Sequence, residues 1–400
     1  MDEREFLETI LGFSKPWYIV EMAQTAEEVR IRLDYPPGTK FACAHCGRFC
    51  ATFDSKWKEY RHLDLWQYKT ILKVRIPRIK CDCDGKKRTV EVEWLRPGSR
   101  FTQMMEARIL EMAKSGPISK QAKMLRITDT RMWRVVIYHT EKCRKTADYS
   151  GCADLGIDET SKKGHNYITN FVDLKKRKIM YIANGKDNKT ITEFAKDLKA
   201  HKGKKEKIVN TTCDMSLAFE KGIKREFKNS KIIIDKFHVI KYFNDALNKT
   251  LRDDIKAGRD FKKSKYIWAK NRENLTEKQE ERFKAMNKQR SKTAKAYQMK
   301  IAMQEIYALT DKKEAESQTK KLISWMNRSR NVHMKKLAGT IENHFDNILN
   351  YFDNRLTNAI LEGLNNAVQS IKHVARGFKN YDYLKAICYL YHGNFDVIVT

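Results

Sequence analysis

The sequence predicts an α/β protein in which a mixed sheet follows two smaller modules and is interrupted by a long helical segment. The first quarter of the chain contains two close cysteine pairs. From about residue 153, apolar residues alternate with the two-residue period of β-strands. Between about residues 252 and 345, a Lys-rich segment has apolar residues at helical spacing, which predicts a packed helical insertion.

The charge balance indicates a polyanionic partner. The 400 residues include 80 Lys and Arg against 50 Asp and Glu, a formal net charge of +30 at pH 7. An excess spread along the chain favours nucleic acid over a merely solvated basic surface. No apolar run approaches the roughly 20 residues of a membrane span, and the charged amino terminus lacks a signal-peptide core. We therefore expect a cytoplasmic protein of two or more domains, associated with DNA in a bacterial nucleoid and with no membrane contact.

The first cysteine pair is typical of a zinc knuckle. Two residues separate Cys43 from Cys46, and Gly47 follows, so both sulfurs can reach one metal while backbone amides turn toward them. The total of nine cysteines is odd and does not fit a secreted disulfide scaffold. In a reducing compartment such a pair favours zinc.

The second cysteine pair leaves the fourth ligand open. Only one residue separates Cys81 from Cys83, so three other side chains remain alternatives: Cys50, His45 and His62. Residues 69–76 alternate like a half-buried strand between the two pairs. We predict a zinc-binding β module over residues 1–96 with structural Zn²⁺ on Cys43, Cys46, Cys81 and Cys83. Reduced cysteines without metal are the alternative.

Residues 97–150 are predicted to form a helix-turn-helix. Pro97-Gly98-Ser99 breaks the preceding pattern, and a short helix at 118–125, capped by Ser119, is followed by a turn at 126–128 and a second helix from 129 to about 139. Such a second helix normally enters the major groove. Three of its side chains are predicted to lie near base edges: Thr130, Arg131 and Arg134. Trp133 and Val136 should pack inward, although any helical hairpin could produce the same pattern.

The next segment has the element order of an RNase H-like core. Three strands, at 153–159, 165–172 and 178–183, precede a helix around residues 191–198. A fourth strand ends at Asp214, a helix begins at Ser216, and a fifth strand covers 232–234. In that fold the first and fourth strands are neighbours, so Asp158 and Asp214 should lie close together. We assign residues 151–251 to the first part of this core and 252–345 to the helical insertion.

A third acidic residue, Glu362, falls on a predicted helix far downstream. Apolar residues recur at helical spacing from 360 to 375, and Glu362 lies beside that stripe rather than opposite it. A carboxylate at the edge of a buried face can turn into a cleft, whereas a solvated surface Glu is the plain alternative. We assign residues 346–400 to the carboxyl-terminal helices of the core.

Three carboxylates of this kind can hold divalent metal ions for phosphodiester chemistry. Clustered anions resist joint ionisation, and binding of Mg²⁺ or Mn²⁺ relieves the repulsion. One metal would activate water or a DNA 3′-hydroxyl, and the other would stabilise the leaving oxygen. In so basic a chain, Asp158, Asp214 and Glu362 predict an enzyme that cuts and joins DNA.

Several motifs resemble those of DDE transposases of the ISL3 insertion-sequence family. They occur in the family's order from the zinc knuckle and Arg61-His62-Leu63-Asp64 to the carboxyl-terminal region, so the likeness covers nearly the whole chain. The remaining matching stretches are Leu155-Gly156-Ile157-Asp158-Glu159, Gly164-His165-Asn166-Tyr167, Cys213-Asp214-Met215-Ser216, Asp235-Lys236-Phe237-His238-Val239, Leu361-Glu362-Gly363-Leu364-Asn365-Asn366 and Arg376-Gly377-Phe378.

The resemblance implies roles for individual residues. Asp158, Asp214 and Glu362 would be the catalytic triad, and the amino-terminal modules would bind the inverted repeats of double-stranded DNA at the element's ends. Asp235 and His238 would support the site from behind the metal ligands, although helix capping explains them about as well, and Arg376 is predicted to contact DNA. A dimer or larger assembly on transposon ends and target DNA is implied.

Two other classes of protein remain alternatives. A sequence-specific DNA-binding regulator, or a catalytically inactive domesticated transposase, would explain the zinc module and the helix-turn-helix, but a regulator gives no reason for carboxylates at two strands and a helix. An RNase H-like nuclease or resolvase would use the same metals, but it would need neither two recognition modules nor the insertion.

Overall fold

A computed structural model describes residues 3–163, 166–289, 291–374, 378 and 380–393. These form two compact units. The first contains the described residues of Met1–Arg144 and Asn380–Tyr391, and the second contains those of Lys145–Lys379 and His392–Asn394. None of the helices in the described part of the chain is both long and apolar enough to cross a membrane.

A six-stranded sheet forms the amino-terminal part of the first unit. Its elements are α1 (Glu3–Ile10), β1 (Tyr18–Gln24), β2 (Glu28–Asp34), β3 (Lys40–Ala42), β4 (Phe49–Arg61), β5 (Lys69–Lys80) and β6 (Lys87–Thr89). The strand order is β1-β2-β5-β4-β3, with β6 also paired to β5. The alternation predicted for residues 69–76 is confirmed, because Leu72, Val74 and Ile76 of β5 enter the core.

Three helices follow the sheet in the first unit: α2 (Gln103–Ser115), α3 (Ile118–Met124) and α4 (Asp129–Lys145). Helix α3 and the turn lie where the sequence predicts them, and α4 begins at the predicted Asp129 but continues to Lys145, past the expected end near residue 139. The expected cap at Ser119 is wrong, since α3 begins at Ile118 directly after Pro117. Proline suits this position because it has a helix-compatible φ and no N–H that the helix would leave unsatisfied.

The sheet of the second unit has the predicted RNase H-like order. Its elements are β7 (Asp154–Lys163), β8 (Asn166–Asp173), β9 (Lys178–Asn184), α5 (Asn188–Ala200), β10 (Asn210–Cys213), α6 (Leu217–Glu226) and β11 (Lys231–Ile234). The order is β11-β10-β7-β8-β9. The β7, β8 and β9 strands form an antiparallel meander, and β10 lies parallel between β7 and β11. The first and fourth strands of this core are therefore neighbours, as predicted.

The insertion is helical and has its own aromatic core. The helices after β11 are α7 (Lys236–Lys256), α8 (Lys265–Ala269), α9 (Glu277–Asn287), α10 (Lys292–Ala308), α11 (Lys312–Arg328), α12 (Val332–Asn343), α13 (Phe345–Leu349), α14 (Tyr351–Asn354) and α15 (Ala359–Val374). Trp268 is fully buried and contacts the rings of Phe261, Phe283 and Tyr297. This packing confirms the prediction of a folded insertion.

The last described helix, α16 (Tyr381–His392), belongs to the first unit with α4. The ring of Tyr383 stacks on Trp133, with centroids 4.3 Å apart and planes 13° apart. Near the end of α4, Arg144 donates from Nη1 to the Tyr389 hydroxyl at 2.9 Å. The final helix thus completes the core behind the predicted recognition helix.

Candidate active site and zinc centre

Two aspartates lie level with each other on neighbouring parallel strands. In the register between β10 and β7, Thr212 lies opposite Gly156. Asp214 and Asp158 are each two positions further along, where β10 has ended and β7 continues. Because side chains two apart share one face of a strand, the register directs both residues to the same side of the sheet.

Asp158 is buried and surrounded by polar groups. The residue is 7% exposed, Oδ1 accepts from the Glu159 amide at 2.8 Å, and Oδ2 accepts from Asn365 Nδ2 at 2.5 Å. His238 Nε2 lies 3.7 Å from Oδ1. Burial raises the pKa of Asp158 to about 6 against the opposing charge of His238, and the charges of nearby carboxylates add to the increase.

Asp214 has a similar environment at the end of β10. Its Oδ1 accepts from the Ser216 amide at 3.1 Å, in the turn that leads into α6. Burial raises the pKa of this carboxyl above its usual range, and the charge of His238 opposes the shift. Both aspartates are therefore costly to ionise alone, which is the electrostatic condition that favours a bound cation.

His238 lies between two carboxylates. Its Nδ1 is 3.3 Å from Asp235 Oδ2, and its Nε2 faces Asp158. Burial acts to lower the pKa of His238, but the interaction with Asp235 and the charge of Asp158 outweigh it, so the pKa is raised. His238 thus lies within 4 Å of both Asp158 and Asp235.

Asn358 joins β7, β10 and the residue that follows β11, and the sequence analysis missed it. The residue is 2% exposed. Its amide N–H donates to Asp235 Oδ1 at 3.1 Å, its Nδ2 donates to the carbonyl of Ile157 at 3.5 Å, and its Oδ1 accepts from the Thr212 hydroxyl. A single Asn before a predicted helix carries no sequence signal for such contacts.

Helix α15 approaches β7 closely at a glycine. A Cβ at Gly156 would overlap Leu361 Cδ1 and lie 2.7 Å from Leu174 Cδ2. Leu361 is fully buried, so α15 rests on the strand that carries Asp158. Glu362 is part of α15, and its side chain lies outside the described residues. Its place on the helix is three positions before Asn365.

The two cysteine pairs meet in the first unit. The sulfurs of Cys43, Cys46, Cys81 and Cys83 all lie within 4.8 Å of one another, and Cys46 Sγ is 3.4 Å from Cys81 Sγ. Four sulfurs at this spacing fit a tetrahedral zinc ion. Each pair is closed by a glycine at positive φ: the amides of Gly47 and Gly85 donate to the carbonyls of Cys43 and Cys81.

The three alternative ligands are not members of this cluster, although the Cys50 side chain interacts with that of Cys81. Within the described ranges, the sets of His, Cys, Asp and Glu close enough to share a metal contain neither Cys50, His45 nor His62. His62 instead places Nδ1 2.8 Å from the hydroxyl of Thr102, the residue that caps α2. Burial lowers the pKa of His62 to about 4, so the ring is neutral at pH 7.

The predicted recognition helix presents its side chains unequally. Thr130 and Arg134 are exposed, whereas the Arg131 guanidinium is half-buried, with its carbon 4.4 Å from the ring centroid of Phe101. Trp133 and Val136 are buried, as predicted. Four motif residues lie outside the described part of the chain: Gly164, His165, Arg376 and Gly377.

The fold and these sites define an α/β protein with an RNase H-like core, a four-cysteine zinc module and a helix-turn-helix. The chain belongs to the ISL3 family of transposases. The family's transposase model matches residues 155–388, and the model for the helix-turn-helix domain of transposase family ISL3 matches residues 90–140. The model for the zinc-finger of transposase IS204/IS1001/IS1096/IS1165 matches residues 39–83.

Two curated relatives match along most of their length. The transposase for insertion sequence element IS1001 of Bordetella parapertussis is 24% identical, over 96% of this chain and 97% of the relative. The transposase for insertion sequence element IS1557 of Mycobacterium tuberculosis is 23% identical, over 87% of this chain and 85% of the relative. Among solved structures, the Drosophila P element transposase strand transfer complex aligns with a TM-score of 0.42 and 10% identity, over 75% of this chain and 93% of that chain.

Proposed function

We propose that this transposase binds the terminal inverted repeats of an insertion sequence and catalyses metal-dependent DNA cleavage and strand transfer. Family membership supports a DNA-cleaving enzyme in general. The observation that carries the specific reaction is the level placement of Asp158 on β7 and Asp214 at the end of β10, the first buried, the second half-buried, and both with raised pKa values. Carboxylates with perturbed pKa values cluster at functional sites.

We propose Glu362 as the third catalytic carboxylate. Asn365 reaches Asp158 from α15, and residues three apart lie on the same face of a helix. Glu362 precedes Asn365 by three positions on α15, and this spacing suits a third carboxylate. Mg²⁺ or Mn²⁺, bound by these carboxylates, would supply Lewis acidity for in-line displacement at phosphorus. The chain itself contributes the orientation of the carboxylates, through Asn365 and Asn358, and the His238 imidazole beside Asp158, whose pKa is raised.

The first unit is proposed to hold the DNA ends. Thr130 and Arg134 extend from the exposed face of α4, and Arg131 and Arg376 complete the set of proposed contacts. A formal net charge of +30 predicts a large contribution from phosphate contacts, so binding should weaken steeply with salt. Cutting and joining both ends of an element calls for two active sites in one assembly, so we propose at least a dimer on DNA.

Nick mapping tests this proposal. The full chain is incubated with its own flanking DNA ends and Mg²⁺, and the cleavage positions are read on both strands. We expect nicks at the ends for the unmutated protein, and loss of nicking with retained DNA binding for Asp214→Asn. The exposed Asp245 on α7 provides the control, because Asp245→Asn removes a carboxylate without touching the site.

The outcomes separate the alternatives. Near-normal nicking by Asp214→Asn contradicts the catalytic role of that carboxylate. An unmutated protein that binds the ends but makes no Mg²⁺-dependent nick would instead be a DNA-binding regulator or an inactive relative.

A further inference from the structure

The hairpin between β4 and β5 carries an exposed tryptophan at its tip. Leu65 and Tyr68 exchange backbone hydrogen bonds in both directions, at 3.1 and 3.0 Å, so the turn between them has only two residues, Trp66 and Gln67. The Trp66 side chain is 82% exposed, the largest exposed fraction among the big apolar side chains of the described residues. Its indole therefore contributes little to the core of the zinc module.

The backbone at Trp66 disfavours a bulky residue. Its φ is +52°, a conformation that Gly, Asn and Asp adopt readily and that tight hairpins usually fill with them. A tryptophan is therefore unfavourable in this turn, and burial of the side chain does not offset the conformational cost. The side chain itself, rather than the turn, is therefore the feature that needs an explanation.

This hairpin tip is fastened to the helix-turn-helix. Arg126, in the turn between α3 and α4, donates from Nη1 to the carbonyl of Gln67 at 3.0 Å and from Nη2 to the carboxylate of Asp64. Asp64 also accepts from Arg61 at the end of β4. The indole is thus held at a fixed place beside the turn that precedes the proposed recognition helix.

The charge around the tip is positive. Asp64 is shared by two guanidinium groups, those of Arg61 and Arg126. Burial lowers the pKa of Arg131, and the nearby charge of Arg61 lowers it further. The exposed Lys123, on α3, lies three residues before Arg126. Asp64 and the charge of Glu28 on Arg61 oppose these cations but do not balance all four of them, so the ligand that fits the surface is a polyanion with flat apolar groups.

We propose that Trp66 contacts DNA and that its ring inserts between base pairs of the duplex, next to the DNA segment that α4 binds. This inference rests on the proposed DNA binding by the first unit. Apolar and aromatic side chains enter DNA by partial unstacking of a base step, and base stacking on an aromatic ring is tolerant of sequence. The fixed tip supplies the ring, and the surrounding guanidinium groups supply phosphate contacts on either side.

The substitution Trp66→Gly separates the contact from the fold. Glycine accepts the positive φ, so thermal stability and zinc content should equal or exceed those of the unmutated chain. Affinity of the full chain for duplex DNA of the element end should fall about tenfold or more. Trp66→Asn, which also tolerates this φ, should behave in the same way and guards against an effect of glycine on the hairpin.

Two further readouts identify the kind of contact. Loss of a stacking contact leaves the slope of log affinity against log salt unchanged, whereas loss of a phosphate contact lowers it, as Arg134→Ala should. With 2-aminopurine placed at successive positions beside the site bound by α4, binding of the unmutated chain should raise fluorescence at one base step, and Trp66→Gly should abolish the rise. Trp57→Ala removes a partly exposed tryptophan from β4 of the same sheet and should leave both signals intact.

The possible outcomes either support or contradict the inference. Equal affinity of Trp66→Gly and the unmutated chain, with no fluorescence change at any base step, would overturn the inference while leaving end binding in place. An equal loss of DNA affinity for Trp57→Ala would also overturn it. So would self-association of the chain without DNA that depends on Trp66. Failure of the unmutated chain to bind the DNA ends would instead contradict the proposed function, and this outcome is distinguishable from a failure of the Trp66 inference alone.

Discussion

Asn365 on α15 donates from Nδ2 to Oδ2 of Asp158 at 2.5 Å. The other end of the same amide accepts from the Thr160 hydroxyl at 2.6 Å and from Asn170 Nδ2 at 2.8 Å. Two donors at the oxygen fix which way the amide points, so its NH₂ group faces the carboxylate. The orientation of Asp158 is therefore set by a helix that begins about 200 residues later in the chain.

We predict that Asn365→Ala reduces cleavage about 10- to 100-fold and shifts the Mg²⁺ dependence to higher concentration, because groups that orient metal ligands commonly have effects of this size. Affinity for the DNA ends should not change. The measurement is the initial rate of nicking over a Mg²⁺ titration. Asn366→Ala, at the next and exposed position of α15, is the matched control. An unchanged rate and Mg²⁺ dependence for Asn365→Ala would remove the orienting role.

The close approach of α15 to β7 predicts a second effect. Gly156→Ala would place a methyl group against the buried Leu361 and Leu174 side chains, and overpacking of this kind costs about 1–3 kcal/mol. We expect a lower midpoint of thermal unfolding and a loss of nicking, since α15 must shift away from the strand that carries Asp158. In contrast, Gly363→Ala meets nothing within 4 Å, and it should stabilise α15 by about 0.5–1 kcal/mol. Equal stability of the two variants would contradict the close packing.

Local patterns explain why the fold was predictable. The meander and the following helix–strand units show strand and helix periods within short windows, and the register of two parallel strands then brings Asp158 and Asp214 together. The cysteine spacing similarly predicted the four sulfurs that now lie together. In each case the information lies within a few neighbouring residues.

Contacts between distant segments could not be predicted in this way. Asn358 and Asn365 look like ordinary polar residues near a helix, and only the docking of α15 on Gly156 gives them partners. Trp66 looks like part of an apolar pattern until the turn geometry leaves it exposed. Packing across hundreds of residues decides these roles, and a single sequence contains no period that reports it.

The zinc cluster predicts that substitutions of two cysteines in the same module have different effects on zinc content. Cys46→Ser removes a sulfur from the group of four, so the purified chain should lose its zinc, and the first unit should unfold at lower temperature, because binding energy at a structural zinc site is folding energy. Cys50→Ser should keep one zinc per chain, since Cys50 lies outside the group. Metal analysis of the two variants checks this. Retention of zinc by Cys46→Ser together with its loss in Cys50→Ser would reverse the ligand assignment.

A buried carboxylate joins the zinc module to the helix-turn-helix and predicts a pH dependence of stability. Glu106 of α2 is fully buried and interacts with Arg96, with the Ser99 hydroxyl at 2.6 Å and with His139 Nε2 of α4 at 2.7 Å. Burial alone would raise the pKa of Glu106, but these partners outweigh it and lower the pKa to about 2. The folded state therefore favours the ionised carboxyl more strongly than the unfolded chain does.

Because the folded pKa lies below the ordinary value of 4.5, the stabilisation by Glu106 is complete above about pH 4.5 and is lost as the pH falls toward 2. We expect Glu106→Gln to lower the free energy of unfolding of the first unit by roughly 3 kcal/mol at pH 7, the size that the pKa difference implies. Urea unfolding at several pH values measures the gap between the two proteins, which should narrow below pH 4.5. Glu111→Gln, at an exposed position of the same helix, should show no such gap. A difference that stays constant from pH 7 to pH 3 would mean that the carboxylate charge is not what stabilises this junction.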